Sequence, residues 1–380
     1  MVDPTLDRAA AAAAERVERC LGEDAQAAAA LAEVCALDVL NRTVPADFGG
    51  YSGIGVDSAR VSVRELCRVR QTLAWHSGML DVMFVEQGLG SYPIALGGSP
   101  ELARAVLADV MAGRKVSAFA LTEEGAGSDL NAVSTVAQRR GDGWVLRGSK
   151  TFISNAGIAS FYTVLARTAG QPGDRDGLTM FYVPAGQPGL TVERFEVMAP
   201  HPIGRLRFED VPVESGWMLG EEGRGLDIAL GTLAQFRTSV AAAATGFARR
   251  AMHESMAHLE ARVQFGRPLS SFQGLRFDIA EMDVRLRASE LLVEEAASAM
   301  DAGGDAGTQV ARAKYFATET ASWICDRAVQ HLGGLGVKRG HIVERLYREV
   351  RALRIYEGTS EVQKLILAKA ALERHRKSNG

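Results

Sequence analysis

Glu357 lies in Arg354-Ile-Tyr-Glu-Gly-Thr-Ser360, just ahead of a helix predicted from Val362 to about Leu372. The apolar pair Ile355-Tyr356 precedes it, and Gly358 lets another molecule approach the backbone closely. Thr359 or Ser360 can cap the helix, whose first amides favour an anion. A carboxylate in an apolar setting beside such a helix start suits a base that takes a proton from carbon. The plain alternative is an acid that only complements the helix dipole. The segment alone does not decide between them.

Further segments carry compatible chemistry. In Leu121-Thr-Glu-Glu-Gly-Ala-Gly-Ser-Asp129, Gly125 and Gly127 allow successive amides to turn toward one centre, and Thr122 and Ser128 add hydroxyls. Such a loop can cradle a phosphate or the polar edge of a ring. No GKS or GKT follows, and the spacing and βαβ setting of a dinucleotide fingerprint are missing. In Lys150-Thr-Phe-Ile-Ser-Asn-Ala-Gly157, Phe152 and Ser154 share one strand face, a flat aromatic beside a hydroxyl. Ala261–Gln273 places Arg262 at the end of one helix and Gln273 at the start of the next, with Phe265-Gly-Arg-Pro268 breaking the two apart. Arg262 is either a surface residue or a phosphate clamp. Gln330–Val337 ends a helix in Gly333-Gly334, which a plain C-cap also explains.

These segments need elements to position them. Residues 6–36 are Ala-rich with helical spacing, and further helices are predicted over about 58–72, 75–90 and 99–112, after a Val44–Gly50 loop. From Val116 to Val213 short β-type runs alternate with Gly, Pro and Asp. Arg139-Arg-Gly-Asp-Gly-Trp144 reads as the hairpin turn between strands 133–139 and 144–150. Other strand candidates are 161–166, 178–183, 190–195 and 206–208. Long helices then return. Leu226, Leu230, Leu233, Val240, Ala244, Phe247 and Ala251 form a seam of alternating fours and threes that skips Arg237, a guanidinium that needs a partner there. Helices are also predicted over about 271–302, 307–332, 340–351 and 360–375. The fold class is α+β, mainly α: an N-terminal helical domain (1–114), a middle β-barrel-like domain (115–220) and a C-terminal four-helix bundle (221–380).

Bulk properties narrow the function classes. At 380 residues, with 47% hydrophobic and 23% charged residues, the chain can bury a large core. A net charge of −3 makes no electrostatic case for nucleic acid or an anionic membrane. The four cysteines lack metal or disulfide spacing, so no metal is expected and a reduced compartment is. No uncharged apolar run reaches about 18 residues, the length a membrane span needs. A cytoplasmic location is expected.

Taken together and in order, the segments resemble the acyl-CoA dehydrogenase family of flavoproteins across almost the full chain; LTEEGAGSD and YEGTSEVQ are the most specific parts. The resemblance implies FAD. Phe119, Leu121 and Thr122 would line the flavin ring, and Gly127 and Ser128 belong to the loop that reaches the FAD phosphates or the thioester. Phe152 and Ser154 would pack on and hydrogen-bond the ring near its reactive nitrogen. Arg262, Phe265, Gln273, Gln330, Gly333 and Gly334 match segments that grip a neighbouring subunit's FAD. Thr359 and Glu361 match the segment touching FAD within the subunit. A homodimer or homotetramer follows.

Glu357 matches the family's catalytic base, removing the α-proton of an acyl thioester while hydride leaves the β-carbon for the flavin. Its amide and a flavin hydroxyl would polarise the thioester carbonyl. Gly358, Ser128, Phe236 and Arg237 would border the substrate, an acyl-CoA or an acyl carrier protein thioester. Electrons would pass to electron-transfer flavoprotein. Some branches carry the base on the long helix just before an Arg; that place is Phe236 here, which leaves Glu357.

The departures concern the substrate. Glu124 replaces a usual Pro, Ala234 a frequent Asp, and Met198–Gly204 reads as a shortened loop. With Phe236, they suggest short, branched or functionalised acyl groups. Two other readings are a flavin oxidase or hydroxylase on the same scaffold, which Glu357 opposes, and a nucleic-acid-binding relative, for which only the tail Arg374–Lys377 is basic.

Overall fold

The computed structural model describes residues 3–378. Helices α1 (Pro4–Glu18), α2 (Glu23–Ala36), α3 (Val63–His76), α4 (Gly78–Gly97) and α5 (Pro100–Met111) come first. Strands β1 (Ser117–Ala120), β2 (Val136–Arg140), β3 (Gly143–Ser154), β4 (Phe161–Arg167), β5 (Leu178–Pro184), β6 (Leu190–Arg194), β7 (Ile203–Val213) and β8 (Met218–Leu219) follow. The chain ends in α6 (Gly225–Ala261), the small hairpin β9 (Val263–Gln264) and β10 (Arg267–Pro268), then α7 (Gln273–Asp301), α8 (Gly307–Leu332), α9 (Ile342–Leu353) and α10 (Ser360–Ser378). Contacts divide the chain into two compact units. One comprises Ala11–Ser62 and Met79–Phe236; the other comprises Met1–Ala10, Val63–Gly78 and Arg237–Gly380.

The first unit is built on one eight-stranded sheet, in the order β6-β7-β3-β2-β4-β5-β8, with β1 parallel to β4. The Gly141-Asp142 turn pairs Arg140 with Gly143, as the hairpin signal predicts. Strand β4 is buried along its whole length. Its terminal Arg167 is satisfied by donating to the carbonyls of Val133, Asn131, Ala169, Asp174 and Asp176. Trp144, Tyr162, Phe181, Leu206 and Phe208 fill one core of this unit; Phe161, Leu165, Met180 and Tyr182 meet Ile94, Val106 and Val110 of the helices in another. Helix α5 starts where Ser99 accepts from the Leu102 amide, with Pro100 at its first position. Gly90 in α4 is needed for close approach, because a Cβ there would lie 2.5 Å from the Ala118 nitrogen.

The second unit is a helical bundle. Val240, Ala244, Phe247 and Ala251 of α6 pack with Met282, Leu286 and Val293 of α7, Ala313, Ala317, Ala321 and Ile324 of α8, and Val343, Leu346 and Val350 of α9. Of the predicted seam, Val240, Ala244, Phe247 and Ala251 form this buried face; Leu226 is buried in a core of the first unit, and Leu230 departs from the seam and is exposed. The abundance of alanine lets the backbones approach, and Gly246 sits so close to Gln71 that a Cβ would fall 2.4 Å from its carbonyl oxygen.

Candidate active site

Glu357 sits in the turn between α9 and α10 with φ of 51°, and Gly358 follows at φ 91°. A left-handed glutamate is uncommon and costs energy, so the surroundings must impose it. They do so by gripping the peptide carbonyls. Arg237 donates from Nε to the Glu357 carbonyl at 2.7 Å. Lys314 donates from Nζ to the Gly358 carbonyl at 2.7 Å, and Gln363 Nε2 donates to the same oxygen at 3.1 Å. On the far side of the turn, Glu319 accepts from Arg354 Nε at 2.8 Å and from Ser360 Oγ at 2.6 Å. Thr359, not Ser360, provides the cap: its Oγ1 accepts from the Val362 amide at 3.2 Å.

Arg237 thus finds the partner its place on the seam demands. Lys314 lies on the buried face of α8 with Val310, Ala317 and Ala321, and is fully buried. Burial lowers the pKa of both cations, that of Lys314 to about 8, and the Glu357 carboxylate opposes the effect on both. The result is a carboxylate beside a half-buried and a fully buried cation, which hold its own carbonyl and the next one. Ile355 and Tyr356, expected as an apolar shield, instead face outward, 54% and 38% exposed.

The two glycine-bearing segments of the first unit meet. The Thr151 amide donates to the Thr122 carbonyl at 2.9 Å, and Lys150 Nζ donates to the Leu121 carbonyl at 2.8 Å and to Glu123 Oε1 at 2.8 Å. Glu123 also accepts from the Ser134 amide and hydroxyl and from the Thr135 amide. This buried network pins the loop after β1 to the end of β3. Lys150 and these donors outweigh burial and hold Glu123 at about 2; burial moves Lys150 to about 8.

Over this support lies a cavity of about 530 Å³ whose lining includes Thr122, Gly127, Phe152, Phe195, Val197 and Arg205. A register slip between Lys150 and Ile153 throws Phe152 into φ 55°, and its ring is 61% exposed. Phe195 stands edge-on to it, with 5.3 Å between centroids. Ser154 is on the same side of β3 as Phe152, with buried Ile153 between them, and its Oγ is 2.7 Å from His201 Nε2. Phe119 is half-buried in β1, Leu121 is buried, and Ser128 is exposed. A Cβ added at Gly125 or Gly127 would meet no atom within 4 Å. An aromatic forced outward, hydroxyls beside it and an open glycine loop fit a flat ring with polar edges, the group the resemblance implies.

The remaining residues lie at one end of the bundle. Arg262 directly follows α6, Gln273 opens α7, and Gln330, Gly333 and Gly334 close α8. The buried His331 ties these ends together, bonding Ser255 of α6 through Nδ1 at 2.7 Å and Asp278 of α7 through Nε2 at 3.0 Å. Phe265 is 91% exposed at φ 51°. Phe236 is fully buried, with its ring packed edge-on to Tyr92 at 5.6 Å and close over Gly88, so a role toward an acyl group would be that of a wall. Thr359 and Glu361 flank the start of α10.

Sequence reasoning did not single out Lys314, the Lys150–Glu123 pair, Phe195 or His201. For the lysines a signal was available. Lys314 falls on the apolar face of its helix, and a cation there needs a partner.

The family models for the acyl-CoA dehydrogenase middle domain and C-terminal domain match residues 118–211 and 223–372. A 3-(aryl)acrylate reductase of Clostridium sporogenes is 38% identical over 327 residues, 85% of each chain. The caffeyl-CoA reductase-Etf complex subunit CarC of Acetobacterium woodii is 35% identical, covering 87% of this chain and 86% of its own. The solved butyryl-CoA dehydrogenase of Megasphaera elsdenii superposes with a TM-score of 0.87 at 30% identity, over 97% of both chains. By domain matches, by identity over most of its length and by fold, the chain belongs to the acyl-CoA dehydrogenase family.

Proposed function

We propose that this oxidoreductase desaturates an acyl thioester between its α and β carbons, with Glu357 as the base that takes the α-proton. The observation that carries this reading is the left-handed Glu357 held through its own carbonyl by Arg237, with Lys314 on the next one. Such a turn keeps a carboxylate in one place, as a base for a weak carbon acid requires. FAD, the cofactor of the family, supplies the hydride acceptor when bound. Phe152 and Ser154 orient its ring, Phe119, Leu121 and Thr122 line it, and Gly127 and Ser128 lie along its phosphates or the thioester. Gly358 borders the substrate with its backbone, the place of a Cβ there being taken by Gln363 Nε2 at 2.6 Å. Phe236, closed against Gly88, favours a short or branched acyl group.

A panel of acyl-CoA and acyl carrier protein thioesters, mixed anaerobically with the yellow holoenzyme, tests the reaction. Bleaching by a subset is expected, and no bleaching by any saturated thioester would refute it. Electron-transfer flavoprotein is the proposed acceptor, a reading supported by the Etf-associated relative.

Self-association completes the proposal. Phe277, Val284 and Leu291 repeat along one face of α7, each more than half exposed, beside the exposed Phe265. A second copy covering this face would bring Arg262, Phe265, Gln273, Gln330, Gly333 and Gly334 to its FAD, while Thr359 and Glu361 serve FAD in their own subunit. Arg262→Ala is then expected to weaken FAD retention by about 10-fold or more, through loss of a charge-assisted phosphate contact. Flavin content after gel filtration, with oligomer mass from light scattering, checks this. Unchanged flavin and mass would remove Arg262 from the interface.

A further inference from the structure

We propose that His201 is a positioning residue of the flavin site, donating from Nε2 to Ser154 Oγ so that the Ser154 hydroxyl proton points to the ring. The inference rests on the reading that Ser154 faces the flavin edge. Ser154 Oγ and His201 Nε2 are 2.7 Å apart. Ser154 is the register partner of Ile203, two residues beyond His201. The Asn155 amide donates to the Pro202 carbonyl at 2.6 Å, which clamps the loop to the end of β3. The His201 amide donates to Glu23 Oε2 at 3.0 Å, and Glu23 and Asp24 both pair with Arg194 at the end of β6. Pro200 and Pro202 flank the histidine and restrict the backbone further. The same loop supplies Phe195, which stands against the Phe152 ring.

The chemistry follows from counting protons. Burial lowers the His201 pKa to about 4, so the ring is neutral near pH 7 and has one N–H and one lone pair. A serine hydroxyl has a single proton. If His201 took that proton, Ser154 could only accept from a ligand. The hydride-accepting edge of an oxidised isoalloxazine presents lone pairs, so a useful Ser154 must donate. That assigns the proton to His201 Nε2. A hydroxyl that accepts one hydrogen bond is also the better donor in the next, because the bonds polarise one another. His201 therefore aims the proton and strengthens the contact to the oxidised ring, polarising the edge that accepts the hydride; the bond is lost once the nitrogen at that edge carries its own hydrogen.

The two-electron midpoint potential of the bound flavin tests this without turnover, in the FAD-loaded protein and its His201→Leu, His201→Gln, Ser154→Ala and double variants. His201→Leu is expected to shift the reduction equilibrium about tenfold toward reduced flavin, roughly 30 mV, because the weakened bond is one made only to the oxidised ring. His201→Gln, whose amide can reach Ser154 and donate, should recover most of the shift. The Leu substitution should add almost nothing in the Ser154→Ala background. If the Leu variant does not retain FAD, His201→Asn, too short to reach Ser154, carries the same expectation. An unchanged potential in His201→Leu with a shifted one in Ser154→Ala would overturn the role of His201 alone. Full additivity in the double variant would do the same. No shift in Ser154→Ala would instead refute the placement of Ser154 at the flavin.

Discussion

Glu357→Gln is expected to bind FAD as the parent protein does and to lose about 10²- to 10⁴-fold in the rate of anaerobic flavin bleaching by substrate. Removal of a positioned base costs on that order, and glutamine preserves shape. The turn should survive, because the bonds from Arg237 and Lys314 to the carbonyls of residues 357 and 358 do not depend on the carboxylate's charge. The loss should therefore fall on the chemical step and leave thioester affinity nearly unchanged, a separation that single-turnover traces against titrated binding can make. The substitution also removes the negative charge that opposes the burial effect on Lys314 and Arg237. Some loss of stability is expected from this, and a melting curve would register it. Bleaching at the parent rate would show that another group takes the proton.

Why was so much of this site legible, and the rest not? The order of segments, the hairpin at Gly141-Asp142 and the helix break between Arg262 and Gln273 are local properties, and local rules describe them. That Arg237 needs a partner also follows from its place on an apolar seam. The partner's identity does not, since it is a carbonyl 120 positions away. Lys314 and Lys150 belong to the same class: each is a buried cation whose acceptor comes from a distant segment. Period-two alternation places Phe152 and Ser154 on one face, yet the outward thrust of Phe152 comes from a register slip that only the pairing of β3 with β7 creates. His201 had no signal of its own. The loop around it attracted notice for its length, and its chemistry depends on where β7 brings it.

Lys150→Met should be the most disruptive substitution in the sheet-bearing unit, at about 3–5 kcal/mol, the range for removing one partner of a buried ion pair. Lys150 is fully buried and the Glu123 side chain is 5% exposed, so the carboxylate left behind would be neither hydrated nor balanced. The effect should spread, since Lys150 also holds the Leu121 carbonyl and thereby the loop that carries Thr122. Flavin retention and folding stability should fall together. A pH dependence separates this from simple loss of packing. In the parent protein Glu123 titrates at about 2, below the usual 4.5, so its contribution is fully present above that usual value and is lost as pH falls toward 2. Without the lysine, burial acts to raise the Glu123 pKa, and acid unfolding followed by circular dichroism should begin at a higher pH. Adding Glu123→Gln to Lys150→Met should recover much of the stability, because the stranded charge is gone. An acid limb that stays in place in Lys150→Met would mean that the serine and threonine donors, not the ion pair, keep Glu123 ionised.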